Sequence, residues 1–511
     1  MTTTGEHHHT DPDARQLALK AIEAGFSRPL PAVPVTSAVV PATTTATAAA
    51  AVLPGRPVRP AFDDEGYLIR PELRGHQVVA SHAKARRGWY APLATPAPTT
   101  TRQAEVLNPA VIAAPTDDEG IIVGRDTLSS CVVAHDPFTA YAKGVVSSPN
   151  VIILGAVGAG KSSLIKTVYV LRPMILRGRR VAVIDKKNRG GEGEYAEATR
   201  QMGAEPLKML LGQGGTCINP LDPVILHGDG ASGQLRLLIA VAEQANGGLP
   251  LDKWEGAGLR YAHQRTLRRC EADGRDPVLA DLVDNFGAFD PDQVADLSAG
   301  SRERLHQAAV GVKFLFEAVV SDELAGLFDG PTSPEVRLAD RLTTFDVSQL
   351  PEDGPAVSMV MAVVNVWLLG TLRRDPGWQT NFVAEEGWHL LGGPGGRLFR
   401  SNSKLARALG LSNIAAIHHT GDIPTDSPAI AMVKEAQTAH LYRQDREDDI
   451  DACVGLFGLG DSSRATLANL RNGQHLLKIG AQAPVLVEHH RSSREKDLTD
   501  TDEAMLAGGT R

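Results

Sequence analysis

Cysteine is scarce in this chain: four in 511 residues, at Cys131, Cys217, Cys270 and Cys453, with no Cys-x-x-Cys spacing. That scatter excludes a disulfide framework and a structural zinc site, and it fits a reducing compartment. Excess positive charge is also missing. The formal net charge is −8 and the pI about 6.1, so no bulk attraction to nucleic acid or to an acidic membrane is implied. The longest basic cluster runs only from Arg177 to Arg180. There is no run of 18 apolar residues. The Ala-rich stretch 45–53 follows a segment full of Thr and Pro, which excludes a membrane span there. The first 30 residues show no signal-peptide core. A cytoplasmic protein is expected, touching a membrane at most peripherally.

A large core is permitted, since 42% of residues are hydrophobic, and the length suits two or three domains. Residues 1–60 read as a low-complexity, disordered tail in which Pro, Thr and Ala dominate from Pro29 to Pro60. Such a composition cannot bury enough apolar surface to fold alone, although a short helix is possible over Ala14–Ala24. Residues 61–146 read as a small N-terminal region with a Pro/Thr linker at 91–101. Its short strands, Ile121–Val123 and Ser130–Val133, are expected to form a β element packed on the core. Strand and helix patterns then alternate over 147–229 and again over 341–495. Between them, 230–340 reads as an inserted α-helical subdomain, and 496–511 as a C-terminal tail. The expected fold class is α/β: a parallel-rich sheet with helices on both faces. Its strands include Val151–Leu154, Val181–Asp185, Pro206–Leu211, Thr343–Val347, Phe382–Ala384 and Ile414–Ile417. A strand pair near 438–443 and 474–488 closes it. Helices are expected over 161–177, Glu194–Met202, 356–373 and 396–409.

The most informative segment is Gly155-Ala156-Val157-Gly158-Ala159-Gly160-Lys161-Ser162, a complete G-x-x-x-x-G-K-[ST] phosphate loop. The apolar run Val151–Leu154 leads into it and a helical segment from Ser163 follows. A strand must aim the loop and a helix must start at its end, so that backbone N–H groups and the helix dipole meet the phosphates. Lys161 would reach the β and γ phosphates, and the Ser162 hydroxyl would serve Mg²⁺. The expected cofactors are ATP and Mg²⁺, in a P-loop NTPase of the RecA-like type.

Hydrolysis needs acids as well. In Phe382-Val383-Ala384-Glu385-Glu386 an apolar strand ends in two carboxylates, at the end of the sheet where open α/β folds place ligands. Glu385 is assigned to the second shell of Mg²⁺ and Glu386 to water activation; a solvated acid pair in a loop is the alternative. The next strand ends in Ile417-His418-His419, and either histidine could sense the γ-phosphate by hydrogen bonding, unless neighbours simply satisfy both. Arg407, in Lys404-Leu405-Ala406-Arg407-Ala408, is a candidate finger reaching a neighbouring subunit's nucleotide, or else an ordinary surface arginine.

Together these residues resemble a family. The order is Asn150-Val-Ile-Ile-Leu-Gly with its phosphate loop, Asp185-Lys-Lys, Glu194-Tyr195, Ile218-Asn219-Pro220-Leu221-Asp222, Glu385-Glu386-Gly-Trp388 and His418-His419-Thr-Gly-Asp422. This is similar to the conjugative type IV secretion ATPases of the TraC/TrbE type, within the FtsK–HerA class of ring motors, over about residues 120–500. In that family a phrase like Asp-Pro-Lys-Gly-Glu-Tyr follows the second strand. Here it is stretched from Asp185 to Tyr195. Glu385 stands where Asp is usual, histidine stands where Gln is frequent, and the family's large N-terminal domain is expected to be shortened or replaced by the tail. The resemblance implies a hexameric ring working with inner-membrane secretion channel components on DNA or relaxase-type cargo. A DNA translocase or coupling ATPase of the same class is one alternative. A switch or scaffold that binds ATP with little turnover is another.

Overall fold

The computed structural model describes residues 61–62, 68–69 and 119–499, apart from 322–323, 386–393, 399–406, 419–432 and 434. The tail 1–60, the helix read at Ala14–Ala24, the linker 91–101, Glu386, Trp388, Lys404, His419 and Asp422 therefore lie outside the described residues. So do most of the helix read over 396–409 and most of the C-terminal tail.

The chain divides at about residue 97. In the first unit, β1 (Ala61–Phe62) pairs antiparallel with β2 (Leu68–Ile69). The second unit is built on an 11-stranded sheet. Seven strands form its parallel part. In spatial order these are β13 (Thr438–Leu441), β5 (Val151–Leu154), β12 (Leu411–Ile417), β11 (Gln379–Ala384), β6 (Arg179–Asp185), β10 (Leu342–Asp346) and β9 (Leu207–Lys208). Beyond β13 the sheet continues antiparallel through β14 (Gln474–Ile479), β15 (Val485–His489), β3 (Ile122–Asp126) and β4 (Val132–Ala134). The mixed α/β class read from the sequence is the one observed.

Alternation explains the two cores. In β5 every residue is buried, yet Ile152 and Leu154 join one hydrophobic cluster while Val151 and Ile153 join another on the opposite face. A strand covered on both sides must be apolar at both parities. The first face carries α4 (Pro223–Ala245), α5 (Lys253–Ala272), α6 (Leu279–Asn285), α7 (Ala299–Ser321) and α8 (Ala356–Arg374). Asn219-Pro220-Leu221-Asp222 is the turn that starts α4. The Asn219 carboxamide accepts from Leu221 N–H at 2.9 Å and donates to the Pro277 carbonyl at 2.7 Å, while Asp222 caps Val224 N–H at 2.8 Å. Helix α8 is long and apolar enough to cross a membrane, but most of it lies buried inside the protein.

Two expectations change. The helix read over 161–177 is α2 (Lys161–Leu164) followed by a π-helical stretch, Ile165–Leu171, and a 3₁₀ turn at Pro173–Ile175. The Thr167 hydroxyl donates back to the Ser163 carbonyl at 2.7 Å and Pro173 has no N–H to continue the ladder. The short N-terminal strands pack into the core, where Ile121, Val123 and Val133 join the second cluster, but not as a separate element. Strand β3 pairs with β15 and so extends the main sheet. Gly124 permits this, since a Cβ there would lie 2.1 Å from the Glu488 carbonyl oxygen.

Candidate functional site

The phosphate loop leaves the carboxyl end of β5 and enters α2. Its backbone takes positive φ at Gly155, Gly158 and Gly160, which side chains resist. Gly155 is doubly required, because a Cβ there would sit 2.4 Å from that of Tyr442. Lys161 is 5% exposed. Its ammonium group donates to the carbonyls of Gly155 at 2.5 Å and Ala156 at 2.8 Å, folding back over the loop it serves. The loop is braced from the turn that leads into β14, where Gly473 N–H donates to the Ala159 carbonyl at 3.0 Å.

Strand register brings the other candidates to the same edge. Ile417 pairs with Leu154, so half-buried His418, the next residue, stands level with Gly155. Ala384 pairs with Ile184 in β6 and Ala415 in β12, which puts Glu385 at the same carboxyl edge. Strand β12 lies between the loop strand and the acid strand.

Glu385 is 5% exposed. One of its oxygens accepts from the Lys187 ammonium at 2.9 Å and the other from the Tyr195 hydroxyl. Burial by itself would raise its pKa. The charges of Lys187 and Lys166 and the two hydrogen bonds outweigh burial and hold the carboxyl down at about 2. Lys187 also donates to Ser162 Oγ at 2.7 Å. A chain of polar contacts thus runs from the loop serine through Lys187 and Glu385 to Tyr195. Lys166 pairs with Glu194 at 2.7 Å, both side chains nearly buried.

A short hairpin, β7 (Asn188–Arg189) with β8 (Glu192–Gly193), folds Glu194 and Tyr195 back onto this edge. It docks through Gly193, whose N–H donates to Asp346 at 3.0 Å; a Cβ there would lie 2.2 Å from Asp185 Oδ2. Asp185 accepts from Tyr195 N–H at 2.7 Å. Burial pushes its carboxyl up to about 8. The carboxylates of Glu385, Asp346 and Glu194 add to the rise, against the Tyr195 hydrogen bond. At neutral pH this acid is mostly protonated.

Arg407 lies elsewhere. It opens a 3₁₀ turn before β12 and donates to the Ser147 carbonyl at 2.9 Å. Both residues precede their strands, so the guanidinium is at the amino edge of the sheet, one strand length of about 20 Å from the loop edge. It cannot serve its own chain's loop. Arg471, which is exposed, lies two residues before the Gly473 brace.

Sequence reasoning singled out the loop, Glu385 and His418, and the structure brings these to one edge. It missed Lys187 as a site residue. The available signal was the Lys-Lys pair directly after a buried strand ending in Asp185.

The donor set fits a magnesium–nucleotide. The loop offers a backbone cradle and a buried ammonium for phosphates, and Ser162 with ionised Glu385 offers oxygens for a hard divalent cation. No family model and no curated protein matches the chain. Among solved structures, it is similar to VirB4 of Thermoanaerobacter pseudethanolicus, at 22% identity and TM-score 0.60, over 74% of this chain and 99% of that one. It also matches the bacterial conjugative coupling protein TrwBdeltaN70, at 14% identity and TM-score 0.49, over 74% of this chain and 90% of that one. The plasmid coupling protein TrwB in complex with ADP and Mg²⁺ matches at 15% identity and TM-score 0.48, over 75% and 93%. The likeness to VirB4 shows that the chain has this P-loop NTPase fold.

Proposed function

We propose that this chain binds ATP with Mg²⁺ and hydrolyses it as the motor of a conjugation or type IV secretion-like system. It would power export or channel assembly at the inner face of the cell membrane. The observation that carries this reading is the meeting of a complete phosphate loop with buried, ionised Glu385 at one sheet edge, in the fold that VirB4 has over nearly its whole solved length. Loop N–H groups and Lys161 hold the phosphates. Ser162 and Glu385 hold Mg²⁺, which when bound neutralises phosphate charge in the transfer step. Glu386 orients and deprotonates the attacking water, and His418 or His419 reads the γ-phosphate. The motor works as a hexameric ring with channel components of the inner membrane, on DNA or relaxase-type cargo, and contacts the membrane only peripherally.

Steady-state ATPase assays with and without DNA test the reading. A high basal rate supports a secretion motor. Stimulation by DNA would shift the assignment to a translocase, and tight binding with negligible turnover to a switch. Glu386→Gln is expected to retain ATP and lower turnover by a factor of about 100 or more, because the amide keeps the shape and loses the base. An active Glu386→Gln beside an ATP-trapped Glu385→Gln would exchange the two roles.

Arg407 at the amino edge can act only across a subunit boundary, which requires a closed head-to-tail ring. Arg407→Ala is expected to lower turnover by orders of magnitude while binding persists. Mixing it with Glu386→Gln should restore partial activity, since each variant supplies the half that the other lacks. Proven co-assembly without rescue would move the role to Arg400 or to Arg471, the latter beside the loop.

A further inference from the structure

Lys187 occupies a position that the function above does not explain. Its ammonium group touches both oxygens assigned to the divalent cation: Ser162 Oγ at 2.7 Å and Glu385 Oε2 at 2.9 Å. We infer that Lys187 is a built-in counter-cation that holds the magnesium seat while the seat is not in use and must withdraw for Mg²⁺ to be bound. The inference rests on the nucleotide-binding reading of the loop and adds to it a device for admitting the metal.

Three observations carry it. The first is charge. Glu385 is buried and ion-paired with Lys187 at 2.9 Å, and a buried carboxylate stripped of its partner is strongly destabilising. Lys166 is held at 2.7 Å by Glu194, and Tyr195 supplies a neutral hydroxyl, so Lys187 is the cation in direct contact with Glu385. The second is exclusion. An ammonium and a dication cannot share one pair of oxygens, because like charges about 3 Å apart repel by several kcal/mol even when well screened. The third is freedom to leave. The Lys187 side chain is 32% exposed, against 5% for Glu385. It stands between the end of β6 and the β7–β8 hairpin, on a flexible four-carbon stem. Glu385, by contrast, is anchored through Tyr195, which is itself anchored to Asp185. The cation is the movable member of the pair and the carboxylate the fixed one.

Two readouts apart from turnover test this. The nucleotide-free protein is melted with and without Mg²⁺, as wild type and as Lys187→Met. Wild type is expected to melt alike in both conditions, and the variant higher with Mg²⁺, because the seat is then open and its carboxylate uncompensated. Binding of a fluorescent ADP is measured with Mg²⁺ and with EDTA. Removing the metal should weaken binding about tenfold more in Lys187→Met than in wild type, since the phosphates then face a bare carboxylate. Adding Glu385→Gln to the variant should erase both differences. Lys187→Gln repeats the test should methionine impair folding. An equal response of wild type and variant to Mg²⁺ in both readouts overturns the proposal. Should wild type bind no ADP while only the variant is stabilised by Mg²⁺, the cation seat stands and the ATPase reading falls.

Discussion

Replacing Lys161 with alanine is expected to reduce ATP turnover to background and to weaken nucleotide binding by about two orders of magnitude. The buried ammonium sits inside the loop, held by the carbonyls of Gly155 and Ala156. In the bound state it exchanges these neutral acceptors for phosphate oxygens, and hydrogen bonds between charged groups contribute about 1.5–3 kcal/mol each. Two such bonds account for the expected loss of affinity. The measurements are steady-state hydrolysis, equilibrium nucleotide binding and a melting curve. Turnover at the wild-type rate in a folded Lys161→Ala protein would refute the assignment of this loop as the nucleotide site.

The second large effect is on stability and comes from buried histidines beside the loop strand. His440 in β13 and His475 in β14 have ring centroids 4.8 Å apart. Tyr169 meets His440 at 2.5 Å, and Tyr442 lies against His475 with centroids 5.0 Å apart. Both ring nitrogens of His475 are buried without a hydrogen-bond partner among the described residues. Burial drives His475 down to about 3, with His489 contributing, and drives His440 well below its usual value. His489 and His263 are held near 4, each chiefly by burial.

Each of these folded values lies below the unfolded one of about 6.5. The unfolded chain therefore binds more protons in that window, and stability falls as pH falls from about 6.5 toward 4. Asp185 opposes this. Held up at about 8, it keeps in the folded state a proton that the unfolded chain releases above about 4, so its effect is to lower stability as pH rises. Three histidines with assigned values against one aspartic acid leave a net uptake of about two protons on unfolding. That is a loss of up to about 3 kcal/mol per pH unit through pH 5. Urea unfolding at pH 7 and pH 5 should show it as a clear drop in midpoint. His475→Leu should flatten the dependence. Equal midpoints at the two pH values would rule out the neutral buried cluster.

Local patterns account for most of what the sequence could reveal. The apolar run Val151–Leu154, the glycine spacing up to Lys161 and the acid after Phe382–Ala384 are legible because each depends on neighbours within about ten residues. The helix after the loop was legible as a helix but not as one that widens at Ile165. That change turns on the back-bonding of Thr167 and on the stop at Pro173. The asparagine in Asn219-Pro220-Leu221-Asp222 was visible only as a family mark. Its bond to Pro277, 58 residues on, shows what it builds.

By itself the sequence determined the α/β class, the phosphate loop, the strand-end acid and the helical stretch between the two halves of the sheet. Periodicity and glycine placement act locally, so they can be read without the fold. Only the tertiary structure decided which strand lies between the loop and Glu385, that the segment at Ile122 joins the main sheet, and that Arg407 sits at the far edge from the loop. It alone decided that Lys187 joins Ser162 to Glu385, across separations of 25 and 198 residues. Contacts of that range are set by strand order and register, and neither is written in any one segment of the chain.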